Sequence, residues 1–145
     1  MKGLIQRVQH ASVPVHGEVV GQLAQGLLLL LGVERKDDES SADKLLHKVL
    51  NYRVFADDDG RMNRSLKDIG GGLLVVSQFT LAANTKSGLR PSFSEAGAPA
   101  RSEELYEYLL AQARGQHSVV AAGQFGADMK VDLLNDGPVT FLLEV

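Results

Sequence analysis

The chain has 145 residues, no cysteine, no tryptophan and a formal net charge of -3. That length suits one domain, 1–145, which can bury a core without staples. The missing cysteines exclude disulfides, iron–sulfur clusters and Cys-type zinc sites, and the acidic balance argues against gripping nucleic acid by bulk charge.

Residues 2–15 read as a strand. His16-Gly17 is a turn signal, and Glu18 to Leu23 completes a hairpin. The opening residues carry no long apolar run, so they do not read as a signal peptide. Leu27 to Leu31 is the longest apolar run, far short of the ~20 residues of a membrane helix. Its length fits a buried strand. The expectation is a soluble cytoplasmic protein without a membrane partner.

Asp37, Asp38 and Ser40 offer a helix N-cap and a negative first turn. Leu45, Leu46, Val49 and Leu50 follow at helical spacing. Asp57-Asp58-Asp59-Gly60 is a turn, and Asp68 to Gly72 is a second break. Leu73 to Leu81 reads as a central strand, rich in residues that favour one. Residues 82–98 read as a loop, with Pro99 suited to the first helical position. Ser102 to Arg114 reads as a second helix. Val119 to Gln124 and Met129 to Leu134 read as strands, Gly137-Pro138 as an interruption, and Val139 to Val145 as the last strand. The predicted class is α+β: a curved, barrel-like sheet with two helices outside.

Searches for familiar chemistry fail. Gly70-Gly71-Gly72 precedes a strand, not a helix, so it cannot cradle a phosphate. The acidic turn lacks a glutamate at the twelfth position of a calcium loop, and Arg61 intrudes. His10, His16, His47 and His117 do not stand at zinc spacing. No nucleophile elbow is present. No metal and no cofactor are expected.

Two motifs remain. Ser77-Gln78-Phe79-Thr80-Leu81 is either a strand leaving the core or a site at a strand end, where backbone N–H groups meet a ligand. Asn135-Asp136-Gly137-Pro138-Val139-Thr140 is either a hairpin turn or a special backbone feature.

At these two motifs the sequence resembles the D-aminoacyl-tRNA deacylases of the bacterial and eukaryotic type. Leu4 to Val8, Gly26 to Val33, Arg90 to Phe93 and Leu105 to Leu109 extend the likeness along the chain. The resemblance implies a homodimer with its active sites at the subunit interface. It implies hydrolysis of the ester between a D-amino acid and the terminal adenosine of tRNA, with glycyl-tRNA also accepted. The partners are then the acceptor end of aminoacyl-tRNA and a second copy, not DNA.

Catalysis falls to Ser77, Gln78, Phe79 and Thr80, chiefly through the Phe79 and Thr80 backbone as an oxyanion hole. The resemblance further implies that the tRNA 2′-hydroxyl assists. Gly137 and Pro138, joined by a cis bond in the family, enter the partner's site and reject L-substrates by clash. Arg7, charged in an apolar first strand, braces that loop. Met129, Lys130 and Val131 are candidates for the adenosine pocket. Lys86, Arg90 and Lys130 are candidates for touching the acceptor end. Two other readings stand beside this one: a non-catalytic module that binds the RNA end, and a small-metabolite hydrolase with Thr80 as nucleophile, for which no activating base is apparent.

Overall fold

Leucine occupies five consecutive positions, 27–31, and all but Leu30 are fully buried. A strand can bury every residue only if both its faces are covered. The computed structural model, which describes residues 1–145, shows how this is done.

The elements run β1 (Lys2–Val15), β2 (Glu18–Leu23), β3 (Gly26–Gly32), α1 (Glu39–Asn51), β4 (Phe55–Ala56) and β5 (Met62–Arg64). Then come α2 (Leu66–Ile69), β6 (Gly72–Ser77), a 3-10 turn (Phe79–Ala82), α3 (Pro99–Gln116), β7 (Val120–Ala122) and β8 (Asp132–Glu144). Six strands form one mixed sheet in the order β2-β1-β3-β6-β7, with β8 also paired to β1. β1 is antiparallel to β2, β3 and β8, whereas β3, β6 and β7 are parallel. β4 and β5 form a separate two-stranded ribbon.

Side chains alternate across the sheet. Leu27, Leu29, Leu31, Leu73 and Val75 face α1 and α3 in the larger core. Leu28, Leu74 and Val76 face the concave side, with Val8, Val13 and Leu23. Each fully buried leucine contributes about 1.5–3 kcal/mol through removal of apolar surface from water. The curl nearly closes into a barrel between β2 and β7. There Gly21 approaches the Ala122 carbonyl so closely that a Cβ would overlap it.

α1 starts as the sequence suggests. Asp38 is the N-cap, and its carboxylate accepts from the Ser41 amide at 2.9 Å. Those bonds hold its carboxyl below the usual carboxylate range. α3 starts with Pro99 at its first turn and buries Leu105, Tyr106, Leu109, Leu110 and Ala113.

Five expectations need correction. A third helix, α2, runs into the expected break at Asp68 to Gly72; Ser65 and Asp68 cap it reciprocally. The strand expected to reach Leu81 ends at Ser77, because the chain turns at Gln78. The strand expected over 119–124 is only Val120–Ala122. The strand expected from Met129 begins at Asp132, since Met129 and Val131 line a cavity instead of pairing. Pro138 does not interrupt the last strand, which runs from Asp132 to Glu144 around a local bulge.

Candidate active site

The first half of the site is the point where β6 ends. β6 runs parallel to β3, with Ser77 opposite Leu31. The Gln78 amide donates to the Leu31 carbonyl at 2.7 Å, which is the last ladder bond. The chain then winds into the 3-10 turn. The Leu81 amide donates to the Gln78 carbonyl at 3.2 Å, and the Ala83 amide to the Thr80 carbonyl at 3.1 Å. The Phe79 and Thr80 amides come before the first such bond and donate to no protein group. They are the orphan N–H groups of a helical start, and they accommodate an anion or a polarised oxygen.

The side chains around these amides are arranged for support. The Gln78 amide nitrogen donates to the Thr80 hydroxyl. No carboxylate or imidazole hydrogen-bonds that hydroxyl. The Phe79 ring is 60% exposed and packs on Phe93 with centroids 5.0 Å apart. Val76, Ser77, Gln78 and Phe79 form one wall of a cavity of about 500 Å³. Tyr106 and Ser102 of α3, Phe125, Asp128, Met129 and Val131 are among the residues that line the rest. The Tyr106 hydroxyl donates to the Val75 carbonyl at 3.2 Å, and burial pushes its pKa up to about 12. That phenol is therefore neutral at ordinary pH and ties α3 to β6 behind the cavity.

The second half is the bulge in β8. Asn135 pairs with Val8 and Thr140 with Gln6, which leaves Asp136 to Val139 opposite Arg7 alone. The Gly137–Pro138 bond in this bulge is cis. Arg7 reaches it from β1: Nε donates to the Asp136 carbonyl at 3.0 Å, and Nη1 to the Val54 carbonyl at 2.7 Å. The Asp136 carboxylate stands 3.6 Å from Nε. From the other side, Asn135 Oδ1 accepts from the Val139 amide at 3.1 Å, and its Nδ2 donates to the Thr140 hydroxyl at 2.9 Å. Gly137 has φ of +130°, and a Cβ there would lie 2.9 Å from Arg7 Nη2 and 2.8 Å from Val139 Cγ2. Only glycine fits both the backbone and the space.

Within one chain, then, the cavity gathers Ser77, Gln78, Phe79, Met129 and Val131, whereas Thr80, next in the 3-10 turn, does not line it. Arg7, Gly137 and Pro138 form a separate cluster that does not line it. Lys130 does not line it either: its amide donates to the Pro14 carbonyl at 3.1 Å and its Nζ pairs with Asp128 at 3.1 Å. Sequence reasoning did not single out Tyr106, Phe125, Phe93 or Asn135. Three of them lie inside segments already noted for their likeness, 90–93, 105–109 and 135–140. Phe125 carried no signal, because an aromatic between turn residues has no diagnostic pattern.

These features define a class: a small α+β barrel with backbone donors beside an apolar cavity and a glycine–proline bulge held by a half-buried arginine. The chain belongs to the D-Tyr-tRNA(Tyr) deacylase family, whose model matches residues 4–144. It is 73% identical over 144 residues to a D-aminoacyl-tRNA deacylase of Stutzerimonas stutzeri (strain A1501), covering 99% of each chain. It is 66% identical to a D-aminoacyl-tRNA deacylase of Pseudomonas putida (strain W619), covering all of both chains. Among solved structures it superposes on the c-Myc DNA Unwinding Element Binding Protein with a TM-score of 0.96 and 38% identity, covering 100% of this chain and 99% of that one.

Proposed function

We propose that this protein hydrolyses the ester linking a D-amino acid, or glycine, to the terminal adenosine of tRNA, in the cytoplasm. The observation that carries the reading is the pair of unbonded amides at Phe79, which lines a cavity large enough for a nucleoside, and at Thr80 next to it. Water adds to the ester carbonyl. The resulting oxyanion takes the two N–H bonds, which cost no reorganisation because the turn already aims them. The C–O bond to the ribose 3′-oxygen then breaks, leaving a carboxylate and a free hydroxyl. The neighbouring 2′-hydroxyl assists the proton transfer, a task for which Thr80 has no activating base beside it. Ser77 and Gln78 hold the wall near the ester. Met129 and Val131 contribute to the adenosine pocket, and Lys130 stands at its rim through Asp128.

Chirality is read by exclusion. The cluster of Arg7, Gly137 and Pro138 is too well bonded to serve as a flexible clamp, and it suits a wall. In a homodimer, Gly137 and Pro138 of one subunit enter the other's cavity mouth and exclude an L side chain. Leu134 and Leu142 on β8, 47% and 51% exposed, supply apolar surface for such a partner. Glycine has no side chain to clash, so glycyl-tRNA passes the filter.

The test is deacylation of D-tyrosyl-, L-tyrosyl- and glycyl-tRNA by the purified protein. Rapid release from the D and glycyl esters with the L ester spared is the expected result. Binding without release would replace this reading with an RNA-binding module. Equal hydrolysis of D and L esters would remove the filter.

A further inference from the structure

The segment after the 3-10 turn has a shape that the proposed chemistry does not use. Asn84 and Ser92 pair back to back: the Asn84 amide donates to the Ser92 carbonyl at 2.7 Å, and the Ser92 amide to the Asn84 carbonyl at 3.2 Å. They close a finger over residues 85–91. The Lys86 amide donates to Asn84 Oδ1 at 2.9 Å and starts the bend. Every residue of the finger is exposed, and Leu89 at its tip is 104% exposed.

The finger carries two cations, Lys86 and Arg90, and no carboxylate. Neither cation makes an ion pair. Arg7, Arg64, Arg101 and Lys130 are each held by an acidic neighbour, and although other cations such as Lys36 and Lys67 are also free, those of the finger stand together on one projection beside the site. Free cations on a chain of net charge -3 make a local positive spot on an acidic protein. Such a spot attracts a polyanion locally without general stickiness. The neck of the finger also touches the site. Phe93 follows Ser92 directly, and its ring packs on Phe79, whose amide is one of the two free donors.

We infer that the finger 85–91 binds the phosphodiester backbone of tRNA immediately 5′ of the esterified adenosine, through Lys86 and Arg90. The inference rests on the deacylase reading above and adds the residues that recognise the RNA. An ester in the cavity mouth places its nearest phosphates around Phe79, where the finger is rooted. Lys130, the third cation considered from sequence, is neutralised by Asp128 and is not part of this contact. The binding is sequence-independent, since phosphate contacts carry no base information.

The experiment compares three D-tyrosyl esters: of adenosine, which has no phosphate, of the trinucleotide CCA, and of whole tRNA. In the Lys86→Gln/Arg90→Gln protein, the ratio of kcat/KM on the CCA ester to that on the adenosine ester falls severalfold at 50 mM salt. Two lost single-strand phosphate contacts flatten the salt slope by about 1.4, so a fourfold rise in salt costs the wild type about sevenfold more than the variant. An unchanged ratio and slope overturn the inference. So does a fall seen only with whole tRNA, which would place the contact elsewhere on the RNA. So does dissociation of the variant into smaller particles by sedimentation, which would make the finger a contact between subunits. A wild-type protein inactive on all three esters overturns the deacylase reading, and the finger with it. Activity with an unmoved ratio overturns the finger alone.

Discussion

The two halves of the site are opposite solutions to ending a regular strand. At the end of β6 the backbone turns and leaves two amides unbonded. In the middle of β8 the backbone also leaves its ladder, but Arg7 takes up the Asp136 carbonyl on one side of the bulge and Asn135 the Val139 amide on the other. A region that keeps free donors can stabilise charge that develops during a reaction. A region tied down on both flanks holds a shape. On the proposed reading, this difference separates catalysis from selection.

The contrast is sharpest if each half is damaged separately. Replacing the Thr80 amide by an ester linkage removes one N–H and keeps the side chain. Its kcat on D-tyrosyl-tRNA should drop about 10²–10³-fold, with D/L selectivity intact. Thr80→Ala, which keeps the amide, should stay within about tenfold of wild type. If Thr80→Ala is instead inactive, the hydroxyl is the nucleophile and the backbone argument fails.

Gly137→Ala should do the reverse. The added methyl meets Arg7 and Val139 at a positive φ, and stability should fall by about 1–3 kcal/mol in urea denaturation. Hydrolysis of L-tyrosyl-tRNA should rise relative to the D ester. A variant with wild-type stability, rate and selectivity would falsify the wall. Arg7→Ala strips partners from the carbonyls of Asp136 and Val54, and should cost about 2 kcal/mol with a smaller loss of discrimination. Lysine at this position should rescue only part of the loss, because it lacks the planar fork that reaches both carbonyls.

The smallest expected effect concerns the cavity wall behind the amides. Burial raises the Tyr106 pKa from 10.0 to about 12 in the folded chain. Its neutral form is favoured by folding, so this contribution is complete below pH about 10 and is lost as pH rises toward 12. Tyr106→Phe should flatten the alkaline fall of stability between those values, measured by denaturant titration. An unchanged slope would show that another group governs the alkaline limb.

Much of the scaffold was legible from residue pattern. The leucine run at 27–31, the Asp38 cap of α1 and Pro99 at the start of α3 each carry a local physical signal, and each element formed near its expected place. The site was legible only in part. Val75, Val76 and Leu81 look equally strand-like in sequence, so nothing local announces that pairing stops at Ser77. It stops because β7 is short and β3 ends at Gly32, leaving Phe79 without a partner strand. Likewise, a proline reads as a break, yet β8 continues past it because β1 offers pairing on both sides of the bulge.

The sequence by itself determined the strand and helix repertoire, the absence of thiol chemistry, and the two motifs on which the family likeness rests. These are properties of neighbouring residues: propensity, periodicity, capping and composition. Only the tertiary structure decided that Arg7 lies beneath Asp136 and Gly137, that Tyr106 ties α3 to β6, and that Lys86 and Arg90 stand free while Lys130 does not. Those facts depend on which distant segments the curled sheet brings within bonding distance. Arg7 and Asp136 are separated by 129 positions in the chain and by one hydrogen bond in the fold.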